Sequence, residues 1–226
     1  MTKKTVNTKI LKFFNIKNIF IIIITRNIFL YLINIYMNKK NFLSDSFLIA
    51  SPQLMDPIFY KSVIYLISHK KEGAMGIVIN QPIIETKLKN ICSSVTSEGL
   101  KENFPIKNIP ITLGGPVDTK KGFVLHTCEF KDETTIKVGQ NIFLTSNISI
   151  LKSIVKGDGP KNSLFALGYA GWTPGQLESE ISKNGWLVAP GNPELIFKCK
   201  IEERWNKAFK SIGINPNLLN SESGNC

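Results

Sequence analysis

The sequence predicts a single α+β domain, on three observations. Short runs rich in β-branched residues, bounded by Gly, Pro and Asn, recur from residue 46 to residue 190. Only three or four short helical patterns lie among them. Strands and helices do not alternate in the sustained βαβ manner that builds a doubly wound sheet. With 226 residues, 43% of them hydrophobic, the chain has material for one sizeable core.

The strand set opens with SFLIAS (46–51), stopped by Pro52, and the DPIFYKS segment turns the chain into SVIYLIS (62–68). Val63, Ile64 and Ile67, with Ile77, Val78 and Ile79 of MGIVIN (75–80), carry the branched side chains that fit a pleated surface. Between these strands HKKEG (69–73) is polar and ends in glycine, as a hairpin loop does. From Gln81 to Pro110 the chain is polar, with one short helical pattern near Glu85–Ser93. Strand patterning returns at PITLGG (110–115), GFVLHT (122–127), TTIKV (134–138) and NIFLTS (141–146).

Ser146 or Asn147 is placed to cap a helix reaching about Lys156, with Ile150, Leu151, Ile154 and Val155 on its apolar side and GDGP (157–160) to end it. SLFALGYAGW (163–172) is the near-continuous apolar run of a strand buried on both faces. Thr173, Pro174 and Gln176 then form a capping box with proline at the first helical position, ahead of Leu177 and Ile181. Asn184-Gly185 ends that helix, WLVAP (186–190) is a further strand, and PELIF (193–197) a short helical turn. Ile201, Trp205, Ala208, Phe209 and Ile212 lie on one stripe of a last helix.

The charge, 28 Lys and Arg against 17 Asp and Glu, resembles a nucleic-acid signal until its distribution is considered. Residues 1–36 hold six basic residues and no acidic ones, which leaves +5 on residues 37–226. That first stretch also lacks Ala, Gly and Pro, and 26 of its residues are Ile, Asn, Lys, Phe or Tyr. Its composition predicts an N-terminal extension (1–41) outside the fold, with Met37 as the physiological start. A membrane span is disfavoured: Ile19–Ile24 is too short, and Arg26 in the longer apolar stretch would cost about 2.5–3.5 kcal/mol at the centre of a bilayer. Cys92, Cys128, Cys199 and Cys226 show neither metal-ligand spacing nor a disulfide framework. Free thiols in a reducing cytoplasm, with no cofactor and no metal, are the expectation.

Residues 42 to about 214 resemble the AlgH/YqgE family of bacterial proteins. The resemblance runs in order through FLIASPQLMDPIFYKSVIYL, GAMGIVINQP, LGGPVDTKKGFVLHT, LTSNISIL, ALGYAGWTPGQLESEISKNGWLVAP and IEERWNKAFKSIGI. It implies a mixed β-sheet curled into a barrel-like core with several short helices packed around it, in one domain over 42–214, followed by a flexible tail over 215–226. The family begins near the FLIA strand, which agrees with Met37 as the start. It has no agreed activity and no established catalytic residues, so none is carried over. Gly171 stands where members often have Ser. Some members bear a name implying transcriptional regulation, although no helix-turn-helix is visible in this chain.

Few residues are placed for chemistry. The LGGP turn, with Gly114 and Gly115, can present backbone N–H groups to an anion, or can simply be a tight turn. His69 and His126, at the ends of predicted strands, would hold a metal or share a proton if they met, and are otherwise hydrogen-bonded structural histidines. Trp172 and Gln176 lie at the strand-to-helix turn within Gly168–Glu178, where a pocket wall and a packing role account for the same letters. Asn80, at the end of MGIVIN, completes the candidate ligand set. No G-x-S-x-G, G-x-G-x-x-G or P-loop is present. Lys70-Lys71, Lys120-Lys121 and Lys198 with Lys200 are scattered pairs without interleaved aromatics. The expectation is a cytoplasmic, non-enzymatic binding or regulatory protein acting through an unidentified protein or small-molecule partner. The alternatives are a ligand-binding or enzymatic cleft near the LGGP turn and the histidines, and direct DNA binding.

Overall fold

A computed structural model describes residues 42–83 and 110–216. The extension 1–41, the helical pattern near Glu85–Ser93 and most of the tail lie outside the described residues. From Leu43 onward the described residues belong to one compact unit.

Among the described residues nine strands form one sheet: β1 (Ser46–Ala50), β2 (Val63–Lys70), β3 (Gly73–Val78), β4 (Ile111–Leu113), β5 (Val117–His126), β6 (Ile136–Gly139), β7 (Ile142–Thr145), β8 (Ser163–Trp172) and β9 (Trp186–Pro190). Their order is β6-β7-β5-β8-β3-β2-β1-β9, with β4 paired to β8 off this path. Every pairing is antiparallel except β4 with β8, which makes the sheet mixed and the fold α+β. The sheet curls as a half-barrel, and Asp45, just before β1, lies beside the ends of both its edge strands. A Cβ on Gly139 at the end of β6 would come 2.1 Å from the Asp45 carboxylate, and one on Gly191 just after β9 would come 2.3 Å from it. The Tyr65 hydroxyl donates to the same carboxylate at 2.7 Å. Burial, together with this acceptor, holds the Tyr65 phenol protonated, well above its ordinary range.

The inner face of the curl carries Phe47, Ile49, Val63, Tyr65, Ile77, Phe123, Leu125, Leu144 and Leu164. Among the described residues four helices pack around the sheet: α1 (Ser149–Lys156), α2 (Gln176–Ser182), α3 (Pro193–Phe197) and α4 (Arg204–Ser211), the last entered through a 3-10 turn, Ile201–Glu203. Trp205, Ala208 and Phe209 of the expected stripe close the core, and the Trp205 indole donates to the Ala50 carbonyl at 2.9 Å. Arg204 is buried beside them and donates to the Cys199 and Ile79 carbonyls, which ties α4 to the end of β3. Burial pushes its pKa down to about 10, so it stays charged at neutral pH.

Three of the differences from the expected boundaries have a clear local reason. HKKEG is not a five-residue loop: His69 pairs with Ala74 and Lys70 with Gly73, leaving Lys71 and Glu72 as a two-residue turn. The strand expected from Gly122 begins at Val117, because a bulge between Val117 and Gly122 carries β5 on to meet Tyr169. Helix α2 begins at Gln176 and not after Thr173. The Gln176 side chain accepts from the Thr173 N–H, the return half of the expected capping box, but it also takes the Thr173 hydroxyl proton, and that hydroxyl accepts no backbone N–H; Gly175 stands at the N-cap.

Candidate functional site

Strand β8 organises the candidate residues. Its first half lies between β5 and β4, its last three residues pair with β3, and His69 follows one strand further on. His126 pairs with Ser163 at the start of β8, whereas His69 pairs with Ala74, which pairs with Trp172 at its end. Nine residue steps of extended chain are roughly 30 Å, so the two imidazoles belong to opposite ends of the sheet. Among the described residues no group of three or more His, Cys, Asp or Glu side chains is arranged to hold a metal ion.

Each histidine is enclosed by its own partners. At His69, Nδ1 accepts from the Leu43 N–H at 3.0 Å, so Nε2 carries the proton and faces Glu178 Oε1 at 3.0 Å. At His126, Nδ1 donates to the Thr127 carbonyl at 2.7 Å and Nε2 accepts from the Thr145 hydroxyl at 2.8 Å. The Thr145 hydroxyl lies 2.7 Å from that of Thr135, which reaches Asp132. Burial alone would push the Asp132 carboxyl up, but hydrogen bonds from Ser149, Thr134 and Thr135 outweigh it and hold it below its ordinary range. For His126 burial prevails and pushes the imidazole below its ordinary 6.5, against the Thr127 carbonyl and the acidic Asp132 and Glu129.

A lowered folded pKa has a definite sign. Above the unfolded value near 6.5 neither state protonates and the contribution is complete; as pH falls through 6.5 the unfolded chain takes up the proton first and stability is lost. Denaturant titrations at pH 7.5 and 5.5 should therefore show a drop in the wild type that is smaller in His126→Gln. An equal drop in both would place the pH dependence elsewhere.

The LGGP turn is a joint between strands. The Gly114 N–H is spent on the Leu167 carbonyl at 2.7 Å, and its carbonyl accepts from the Val78 N–H at 2.8 Å. A Cβ on Gly114 would lie 2.3 Å from the Gly168 oxygen, and one on Gly115 would lie 2.2 Å from the Tyr169 carbonyl carbon. These glycines allow β3, β4 and β8 to approach closely. Asn80 is likewise engaged internally: its Oδ1 accepts from the Val63 N–H at 2.7 Å and its Nδ2 donates to the Lys61 carbonyl at 2.8 Å.

Trp172 and Gln176 do come together, around a residue the sequence reading passed over. The indoles of Trp172 and Trp186 donate to the same Glu180 oxygen, Oε2, at 2.9 and 2.8 Å, and Gln176 Nε2 donates to Oε1 at 2.9 Å. Phe59 packs edge-on against Trp186 at 5.6 Å. With His69 facing Glu178, these bonds clamp α2 onto the ends of β2, β8 and β9. Glu180 stands four residues after Gln176, a helical spacing visible in the sequence. That both tryptophans face it requires the sheet.

A groove of about 550 Å³ runs between the end of β9, α3 and α4, over Phe47, Leu195 and Cys199. Its rim lysines are both occupied, Lys198 by Glu194 at 3.0 Å and Lys207 by Glu203 at 2.8 Å. The other lysine pairs fall on the β2–β3 turn and on the bulge of β5. Among the described residues no helix is long and apolar enough to cross a membrane.

The family model described as AlgH-like matches residues 47–217. A UPF0301 protein of Bartonella quintana is 43% identical over 192 residues, covering 82% of this chain and 97% of the relative. One from Nitrobacter hamburgensis is 41% identical over 190 residues, covering 82% and 88%. The solution structure of the AlgH protein from Pseudomonas aeruginosa superposes with a TM-score of 0.67 at 38% identity, over 83% of this chain and 97% of that one. A crystal structure of a Corynebacterium diphtheriae protein shares the fold, with a TM-score of 0.61 at 19% identity over 79% of this chain and 92% of that one. The chain belongs to the AlgH-like family of UPF0301 proteins.

Proposed function

We propose that this chain is a cytoplasmic, non-catalytic regulatory protein that works by binding a protein partner and not by contacting DNA itself. The observation that supports this most directly is the use made of its polar residues. Both nitrogens of each histidine, both ends of the Asn80 amide and the Trp172 and Gln176 donors are engaged within the fold. A general acid, base or nucleophile needs a face turned toward substrate. In this chain those groups hold strands and a helix together, which leaves the outer surface to carry function.

The test is complementation. A strain lacking the protein is compared with the wild type by whole-proteome profiling, then supplied with the full chain carrying His69→Gln and His126→Gln. Circular dichroism of the purified variant establishes that it folds. Restoration of the wild-type profile is expected. A folded variant that restores nothing would assign the function to imidazole chemistry.

A further inference from the structure

Five large hydrophobic residues are well exposed among the described residues, and three of them, Met55, Ile58 and Tyr60, fall within one turn between β1 and β2. Met55 is 92% exposed, Ile58 48% and Tyr60 58%; the others, Val117 and Ile136, lie on separate strands. Isolated exposed apolar side chains are ordinary, but three within six residues form a patch.

The turn that carries them is held firmly. The Asp56 carboxylate accepts from the Ile58 N–H at 2.8 Å, the Phe59 N–H reaches the Asp56 carbonyl at 3.2 Å, and the Ser62 N–H reaches the Phe59 carbonyl at 3.0 Å. From outside the turn, Gln81 Nε2 donates to the Ile58 carbonyl at 2.6 Å, and Phe59 is anchored on Trp186. A backbone fixed in this way loses little further entropy when a partner docks on it.

Charge defines the partner's chemistry. Lys61 has the left-handed φ of 52°, unusual for a residue with a Cβ, and the Asn80 bracket around its carbonyl holds it there. Its Nζ lies 5.3 Å from the ring centroids of both Tyr60 and Trp205, and no carboxylate among the described residues pairs with it. Asp56, the acidic residue of the turn, turns Oδ1 to the Ile58 N–H and forms no ion pair with Lys61. The patch therefore presents three apolar side chains and one cation that lacks an anion.

We propose that Met55–Lys61 is a docking surface for a partner protein, and that it receives a segment in which apolar side chains flank an Asp or Glu that pairs with Lys61. This rests on the reading of the chain as a partner-binding protein. A lipid surface is a poorer fit, since attraction to anionic headgroups needs a cluster of cations. A second copy would set this patch against itself and bring Lys61 toward its own equivalent, and it is an outcome the test distinguishes.

The test uses the full chain in its own cells with a benzophenone side chain at position 55, and in parallel at position 152 on the exposed side of α1. The expected result is one dominant protein cross-linked from position 55, through a segment that interleaves apolar and acidic residues. A synthetic peptide of that segment should bind the purified chain, lose at least tenfold in affinity to Lys61→Glu and to Tyr60→Ser, and regain affinity for Lys61→Glu when its own carboxylate is replaced by lysine. Melting curves of both variants confirm that they fold. Cross-links only to a second copy of the chain, or only to lipid, would overturn the proposal. So would a peptide whose affinity ignores both substitutions. A partner captured from position 152 and not from 55 would overturn this surface while leaving the binding reading intact. No protein captured from either position would overturn both.

Discussion

Gly115→Ala is expected to remove about 3 kcal/mol or more of stability, enough to leave much of the protein unfolded under ordinary conditions. The added Cβ would lie 2.2 Å from the Tyr169 carbonyl carbon, 2.3 Å from its oxygen and 2.4 Å from the Ala170 nitrogen. All three are backbone atoms of β8, so no side chain can rotate away to relieve the clash. Gly115 also has φ near 152°, which a residue with a Cβ rarely adopts. Relief would require β8 to move from β5 or β3 at the joint where the LGGP turn links the sheet. Gly175→Ala is the matched control: it too has a positive φ, 75°, but nothing lies within 4 Å of its Cβ position. Its cost should stay near 1 kcal/mol, the backbone contribution alone. Urea titrations of both variants separate strain from clash. Equal midpoints would mean that the close approach at Gly115 contributes nothing.

The pair also illustrates what the sequence could reveal. LGGP announces a special backbone, and both a nest and a tight turn satisfy the local rules. What decides between them is the strand that passes beside it fifty residues later, a nonlocal fact. Elements specified locally were legible almost to the residue. β8 and β9 are continuous apolar runs between turn residues, and α3 has Pro193 at its first position with the Asn192 side chain accepting from the Glu194 N–H. The extension of β5 through VDTKK was not legible, because those five residues are exposed and carry no alternation.

The histidines show the same limit at the level of the site. Each was placed correctly near a strand end, but sequence does not say which strand ends are neighbours, and the register of β8 sets them apart. Conversely, only its four-residue spacing from Gln176 set Glu180 apart locally from Glu178, the other acidic residue of α2. Only once β1 pairs with β9, and β3 with β8, do Trp172 and Trp186 stand 6.2 Å apart and turn both indole N–H groups toward one carboxylate.

Glu180→Ala is expected to cost about 3 kcal/mol and to loosen α2 selectively. Trp172 and Trp186 are buried, and removing their common acceptor leaves two indole N–H groups without a partner in a place water reaches poorly. Hydrogen bonds to an ionised group are worth about 1.5–3 kcal/mol each, more than neutral ones, and two donors depend on this single oxygen. Glu180→Gln should be milder, at about 1 kcal/mol, for a specific reason. Its carbonyl oxygen can still accept from both indoles, but its amide nitrogen then faces the Gln176 Nε2 donor. Gln176 cannot turn over without moving its own oxygen away from the Thr173 N–H and hydroxyl. Since α2 buries Leu177 and otherwise depends on polar clamps, its detachment should precede global unfolding. Tryptophan fluorescence, dominated near α2 by Trp172 and Trp186, should then change at a lower urea concentration than far-UV circular dichroism in Glu180→Ala, with the two transitions coinciding in the wild type. Coincident transitions in both proteins, with stability unchanged, would mean that the shared carboxylate is incidental to the attachment of the helix.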